Sequence, residues 1–204
     1  MLKVGLTGSI AVGKSFVCDV LRELGCHVLD ADVTAREVVA SGTPGLNRVV
    51  KEFGSEVLTS AGDLDRAKLA SIVFADREKR EMLNSIVHPL VIEQQDMWLR
   101  RTAAAHPHGI AVIDAALMIE SGGYTRFDKL VVVWCEPDIQ LSRLMKRDGI
   151  SEVEALRRIA AQMPQDEKKR HADHLIDTSK GYDETRRQTE SVFAELEAAV
   201  SGKQ

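Results

Sequence analysis

The sequence predicts an α/β fold built on a mainly parallel sheet, with a helical insertion and a helical lid. Three observations predict it. Short apolar runs of strand length alternate with stretches whose apolar residues recur at helical spacing, the pattern of strands joined by crossover helices. A glycine-containing loop follows the first run and opens the first helix. About 70 residues, far more than the ~10–12 of a minimal crossover, separate the second and third core strands.

Leu2–Leu6 reads as a short buried strand, followed by the loop Thr7–Gly13. Across Lys14–Leu24 the apolar residues Phe16, Val17, Val20, Leu21 and Leu24 lie on one helical face, and Gly25 ends the helix. Val28–Leu29 is the second strand and ends in Asp30-Ala31-Asp32. From Val33 to about Arg101 the chain reads as helical, with breaks at Ser41–Gly45, Gly54, Ser60–Asp63 and His88-Pro89. Ile110–Ile113 and Leu130–Cys135 are buried strands, the second stopped by Glu136-Pro137. Asp138 is expected to cap the next helix, and Ser151 with Glu154 forms a capping-box pattern for the helix Ser151–Gln162. A last strand, His174–Ile176, precedes a closing helix, Tyr182–Val200.

The composition is that of an ordinary globular protein, with 44% apolar residues among 204. A net charge of -4 argues against a dedicated nucleic-acid binder, whose footprint is basic. No apolar run approaches the ~18 residues that span a bilayer, and the N-terminus has no signal-peptide pattern. Three cysteines without a CxxC spacing suit reduced thiols, so a cytoplasmic location is expected. Nothing in the chain bears on oligomeric state.

Gly8-Ser9-Ile10-Ala11-Val12-Gly13-Lys14-Ser15 matches G-x-x-x-x-G-K-[ST] in full, between a strand and a helix. In that setting successive backbone N–H groups converge on one phosphate, and the helix N-terminus adds partial positive charge. Lys14 then reaches the β- and γ-phosphates of ATP and the Ser15 hydroxyl ligates Mg²⁺. Gly8, Ala11, Val12, Gly13 and Phe16 complete the expected nucleotide-binding set. The chain lacks the Asn-Lys-x-Asp reader of a GTPase, and Glu120-Ser121-Gly122-Gly123 only superficially resembles an ABC signature. A small-molecule kinase needs an acceptor site and a basic lid, and both have candidates.

Asp30 and Asp32 stand at the carboxyl end of the second strand. A carboxylate there could accept the acceptor hydroxyl's proton or align that hydroxyl. One of the two is expected to cap the following helix. Asp32 is the candidate base and Asp30 its alternative. Arg36, four residues after Asp32, could hold it or touch acceptor phosphate. Arg143 and Arg147 share a helix face and could clamp a transferring phosphoryl group. From Gln140 to Arg170 there are eight Lys/Arg against five Asp/Glu, in a chain acidic overall. Lys168-Lys169-Arg170 reads as ordinary surface, and His171-x-x-His174 as structural or solvated rather than metal-binding.

At these residues the chain resembles the dephospho-CoA kinase family. The opening Val4–Ile10 with Gly13-Lys14-Ser15 carries the resemblance first. Asp30-Ala31-Asp32, Ala35-Arg36, Phe53-Gly54, Leu64-Asp65-Arg66, Val73-Phe74 and His88-Pro89 follow at family spacing. Leu117 to Glu120, Gln140-Leu141-x-Arg143, Arg147-Asp148, Ile159 to Gln162 and Ala172-Asp173 to Asp177 continue it over nearly the whole chain. Phe16 stands where threonine is common, leaving Ser15 as the only hydroxyl there, and Asp177-Thr178-Ser179 replaces a common Asp-Asn-Gly-like turn. The resemblance implies ATP-dependent phosphorylation of the ribose 3′-hydroxyl of dephospho-CoA, with Asp32 as base, Lys14 and Ser15 on phosphate and metal, and Arg143 with Arg147 as clamp. It implies that Arg36, Asp65 and His88 meet the acceptor. The expected division is a nucleotide-binding core at 1–32, 107–140 and 167–204, an acceptor-binding insertion at 33–106, and a lid at 141–166. The rival readings are another small-molecule P-loop kinase and a non-catalytic ATP sensor.

Overall fold

The computed structural model describes residues 1–202, which form two compact units. One comprises Met1–Leu29 and the chain from Arg101 onward; the other is Asp30–Arg100.

The first unit holds the sheet. Its strands are β1 (Leu2–Thr7), β2 (His27–Asp30, whose last residue opens the second unit), β3 (Ile110–Asp114), β4 (Lys129–Trp134) and β5 (His174–Asp177), in the order β2-β3-β1-β4-β5. β1 pairs in parallel with β3 on one side and β4 on the other, and β4 pairs in parallel with β5. The chain therefore leaves β1 at the point where strand order reverses, which is where ligands bind in open α/β sheets. Register sets Leu6 level with Asp114. A carboxylate thus lies beside the strand end that feeds the glycine loop.

The first helices are α1 (Lys14–Glu23), α2 (Ala31–Glu37), α3 (Pro44–Phe53), α4 (Arg66–Ala75) and α5 (Arg77–Ala105). The later ones are α6 (Pro137–Asp148), α7 (Glu152–Ala160), α8 (Gln165–Lys169) and α9 (Tyr182–Ser201). Alternate residues of a strand share a face. Leu2, Val4 and Leu6 of β1, with Val112, Val131, Val133 and Ile176, accordingly pack with Val17 and Leu21 of α1 and Val192 and Leu196 of α9 into one buried cluster. Gly25, at φ +95°, follows α1 as expected.

The second unit has its own core of Val38, Val39, Val49, Phe53, Val57 and Leu69, with partly buried residues from Leu83 to Val91 packed on it. Thr43 caps α3, which already begins at Pro44, so the predicted break at Ser41–Gly45 ends earlier than expected. The turn at Ser60–Asp63 is present, closed by a bridge between Leu58 and Leu64.

Three local expectations are corrected. His88-Pro89 does not break the helix: α5 runs through it, and the break falls at Asp76. An interior proline costs about 3 kcal/mol; Leu83, Ile86, Val87, Leu90 and Val91 bury around this segment and offset it. Asp138 is not a cap, because α6 starts at Pro137 with Glu136 as N-cap. Proline has φ preset for the first helical position and no N–H to leave unbonded. Asp138 instead meets the positive end of the helix dipole. Lys168 of α8 is not surface: its side chain has no exposure.

Candidate active site

The glycine loop Gly8–Gly13 joins β1 to α1. Gly8 admits no side chain, since a Cβ would lie 2.3 Å from the Val133 carbonyl oxygen. Gly13, at φ +92°, opens α1 from a left-handed conformation that glycine adopts without strain. Ala11 holds φ +61°, a region non-glycine residues rarely enter. Side chains from other elements fix the loop here. The Ile10 N–H donates to Gln162 Oε1 at 2.7 Å, and its carbonyl accepts from Gln140 Nε2 at 2.8 Å. Gln140 in turn accepts from Gln165, which also donates to the Cys135 carbonyl.

A cleft of about 440 Å³ opens over this loop, lined by Ser9, residues 11–16, Arg143, Arg147, Thr178, Gly181, Tyr182 and Thr185. Lys14 Nζ lies 3.9 Å from Asp114 Oδ1, with both side chains largely buried. Arg143 of α6 donates to the Thr178 hydroxyl and the Thr178 carbonyl, each at 2.8 Å. The Thr178 hydroxyl donates to the Val12 carbonyl at 2.6 Å. One buried threonine thus links the β5 end, the loop and the guanidinium. Arg147, one turn on, is held by Asp148 at 2.7 Å. Phe16 packs against Tyr182 with ring centroids 4.8 Å apart, beside the same loop.

The structure brings Gly8, Ala11, Val12, Gly13, Lys14, Ser15, Phe16, Arg143 and Arg147 around one part of the first unit. In the second unit, Asp30 is the α2 cap: one of its carboxylate oxygens accepts from Asp32 N–H at 2.7 Å and Val33 N–H at 3.1 Å. Asp32 sits in the first turn of α2, exposed, and its carboxylate accepts no hydrogen bond among the described residues. Arg36 is exposed on the same helix, and its carbonyl accepts from Arg66 at 3.0 Å. Asp65 caps α4 by accepting from Lys68 N–H at 3.0 Å. His88 is exposed on α5.

Sequence reasoning missed Asp114, Thr178, Lys168 and the three glutamines. Asp114 had a signal, a carboxylate closing an apolar strand of four residues. Gln140 and Gln162 lay in segments that carried the family resemblance and Thr178 in the turn noted as a departure from it, but none of these, nor Lys168 or Gln165, showed its partner, because each acts across the fold. Lys168 Nζ lies 2.8 Å from Glu120 and donates to the Ala116 carbonyl at 2.7 Å. Lys169 covers the Trp134 ring at 4.1 Å. His174 pairs with Glu195, and His171 packs edge-on against Tyr124. Among the described residues, no group of three or more His, Cys, Asp and Glu could hold a metal ion.

A parallel sheet carrying this loop, a lysine on it and two arginines over the same cleft define a P-loop phosphotransferase of the small-molecule kinase type. The sequence model of one such family, described as dephospho-CoA kinase, matches residues 2–184. The chain belongs to the dephospho-CoA kinase family. A dephospho-CoA kinase of Bacillus cereus is 46% identical over 194 residues, covering 93% of this chain and 94% of that one. A crystal structure from Thermus thermophilus superposes with TM-score 0.82 at 31% identity, over 96% of this chain and 97% of the other. The dephospho-CoA kinase from Campylobacter jejuni superposes with TM-score 0.71 at 25% identity, over 97% and 98%.

Proposed function

We propose that this chain transfers the γ-phosphoryl group of ATP to the ribose 3′-hydroxyl of dephospho-CoA, giving CoA and ADP as the last step of coenzyme A biosynthesis. The observation that carries the reading is the cleft in which the glycine loop, Lys14, Arg143 and Arg147 converge, in a chain of this family.

The loop N–H groups and the α1 N-terminus bind the phosphates, and Lys14 meets the β- and γ-oxygens. The transition state spreads charge over the transferring group, so cations fixed beforehand lower its energy. Arg143 is fixed by its two bonds to Thr178, and Arg147 by Asp148. The Phe16–Tyr182 pair offers apolar surface to the nucleoside. Asp32 accepts the proton of the acceptor hydroxyl, its carboxylate being uncommitted while Asp30 caps the helix. Arg36 and His88 contact the acceptor, and Asp65 contributes there from the α4 start that it caps. In this reading 33–106 is the acceptor-binding insertion and 141–166 the lid.

The residues at the loop fit Mg²⁺. The Ser15 hydroxyl and the Asp114 carboxylate beside Lys14 are hard oxygen donors, and Mg²⁺ in kinases is held by few protein oxygens together with substrate phosphates. When bound, the ion would neutralise charge on the β- and γ-phosphates. A soluble cytoplasmic enzyme is the setting this substrate implies, and no helix among the described residues is long and apolar enough to cross a membrane.

A coupled ADP-release assay tests the reading. ADP should form with dephospho-CoA and not with nucleoside monophosphates, and Lys14→Ala should lower kcat by on the order of 10²-fold or more. ADP release no faster with dephospho-CoA than without it would overturn it.

A further inference from the structure

Lys168 is a fully buried cation that the phosphate-binding reading does not use. Burying an ammonium is expensive unless it is paired and hydrogen-bonded. Here it is both, and its partners lead to the site. Glu120 and the Ala116 carbonyl, at 2.8 and 2.7 Å, belong to the segment that follows Asp114 at the end of β3. The Ala116 carbonyl also accepts from Thr7 Oγ1 at 3.2 Å, and Thr7 is the last residue of β1 before the glycine loop. Glu120 accepts as well from the Met163 N–H at 3.2 Å, just before α8. One ammonium and its two acceptors therefore tie three segments: the exit of β1, the exit of β3, and the approach to α8.

We propose that Lys168 is a positioning residue for phosphoryl transfer. It sets the segment after Asp114 against the exit of β1, and so fixes the carboxylate 3.9 Å from Lys14. Lys14 must meet the phosphates rather than collapse onto Asp114, so a shift of either segment would change the lysine's aim. Burial pulls the Lys168 pKa down, the Glu120 contact opposes this, and the Lys14 charge adds a smaller lowering. The proposal rests on the kinase reading.

The test separates aim from stability. In Lys168→Met with Glu120→Met both charges go, and replacing a buried ion pair by apolar residues is often neutral or stabilising. Melting temperature should return near wild type. Calorimetric affinity for ATP should stay within a few-fold, while kcat stays at least ~10-fold low, the loss of a positioned group being felt in kcat rather than in binding. Lys168→Gln, which keeps a donor for the Ala116 carbonyl without the charge, should show the same split. The slow hydrolysis of ATP without acceptor is measured on the same variants and should fall in parallel. That readout does not need dephospho-CoA, so failure of the acceptor assignment is distinguishable from failure here. Wild-type kcat in either folded variant would overturn the proposal. Loss of fold in both would make the pair a requirement of the fold alone and overturn it as well.

Discussion

Asp30 and Asp32 are separated by one residue and differ completely in what they hold, which makes them a matched pair of perturbations. Asp30 accepts two backbone N–H bonds at 2.7 and 3.1 Å at the start of α2. Removing an N-cap of this kind costs about 0.5–2 kcal/mol, and losing its charge at the helix N-terminus about 0.3–1 kcal/mol more. Asp30→Ala should therefore lose roughly 1–3 kcal/mol, the sum of those two ranges. For a chain of this length each kcal/mol moves Tm by about 2–4 °C, so a fall of roughly 2–12 °C is expected. Asp30→Asn keeps the cap and should lie within a few degrees of wild type, with turnover within a few-fold. The Asp32 carboxylate holds no group among the described residues, so Asp32→Asn loses at most the ~0.3–1 kcal/mol dipole contribution. Its kcat should nonetheless fall by ~10²–10⁴-fold, the usual worth of a general base. Calorimetric ATP affinity should change little. The assays are thermal unfolding and steady-state kinetics with dephospho-CoA. Full turnover in Asp32→Asn would refute the reasoning, and a large kcat loss confined to Asp30→Asn would move the base to Asp30.

Thr178→Val removes the hydroxyl between Arg143 and the Val12 carbonyl; kcat should drop with little change in acceptor KM, as in Arg143→Ala, and wild-type kinetics in both would end the clamp role. Although its partial burial favours protonation, the Leu130 N–H and Lys129 hold the Asp173 carboxyl below the usual carboxylate range. A depressed folded pKa gives stability that is present above the unfolded value and is lost as pH falls through the folded one. Asp173→Asn should therefore flatten the acid limb of a stability–pH curve below about pH 4, where an ordinary Asp titrates; an unchanged limb would contradict this. All three cysteines are buried, and burial pushes Cys26 up to about 12, with Cys18 and Cys135 also raised. A thiol-reactive dye at pH 8 should label none in the native protein and three after denaturation, because the thiolate is the reacting species; rapid native labelling would refute the burial.

Much of the fold is legible in the chain. Each core strand lies within a residue or two of its apolar run, because a buried parallel strand reads as unbroken apolar sequence. The starts and stops that failed did so for local reasons. Pro137 opened α6 one residue before Asp138 and left the cap position to Glu136, and Pro89 was carried inside α5 by the apolar residues packed around it.

The sequence by itself determined the strand–loop–helix around Gly8–Ser15, because backbone geometry and the lysine lie within one contiguous segment. It also placed Arg143 in the helix after β4, whereas Asp32, expected at the end of the second strand, lies in the first turn of α2. It left open which of Asp30 and Asp32 is the cap, since either could accept the same amides. Only the fold decided that, together with every contact made across distant segments: Arg143 on Thr178, the glutamines on Ile10, Asp114 beside Lys14, and Lys168 buried on Glu120. Those pairs are 35 to 152 residues apart. No periodicity reports such pairings, because burial and partner are properties of packed elements rather than of the residues that compose them.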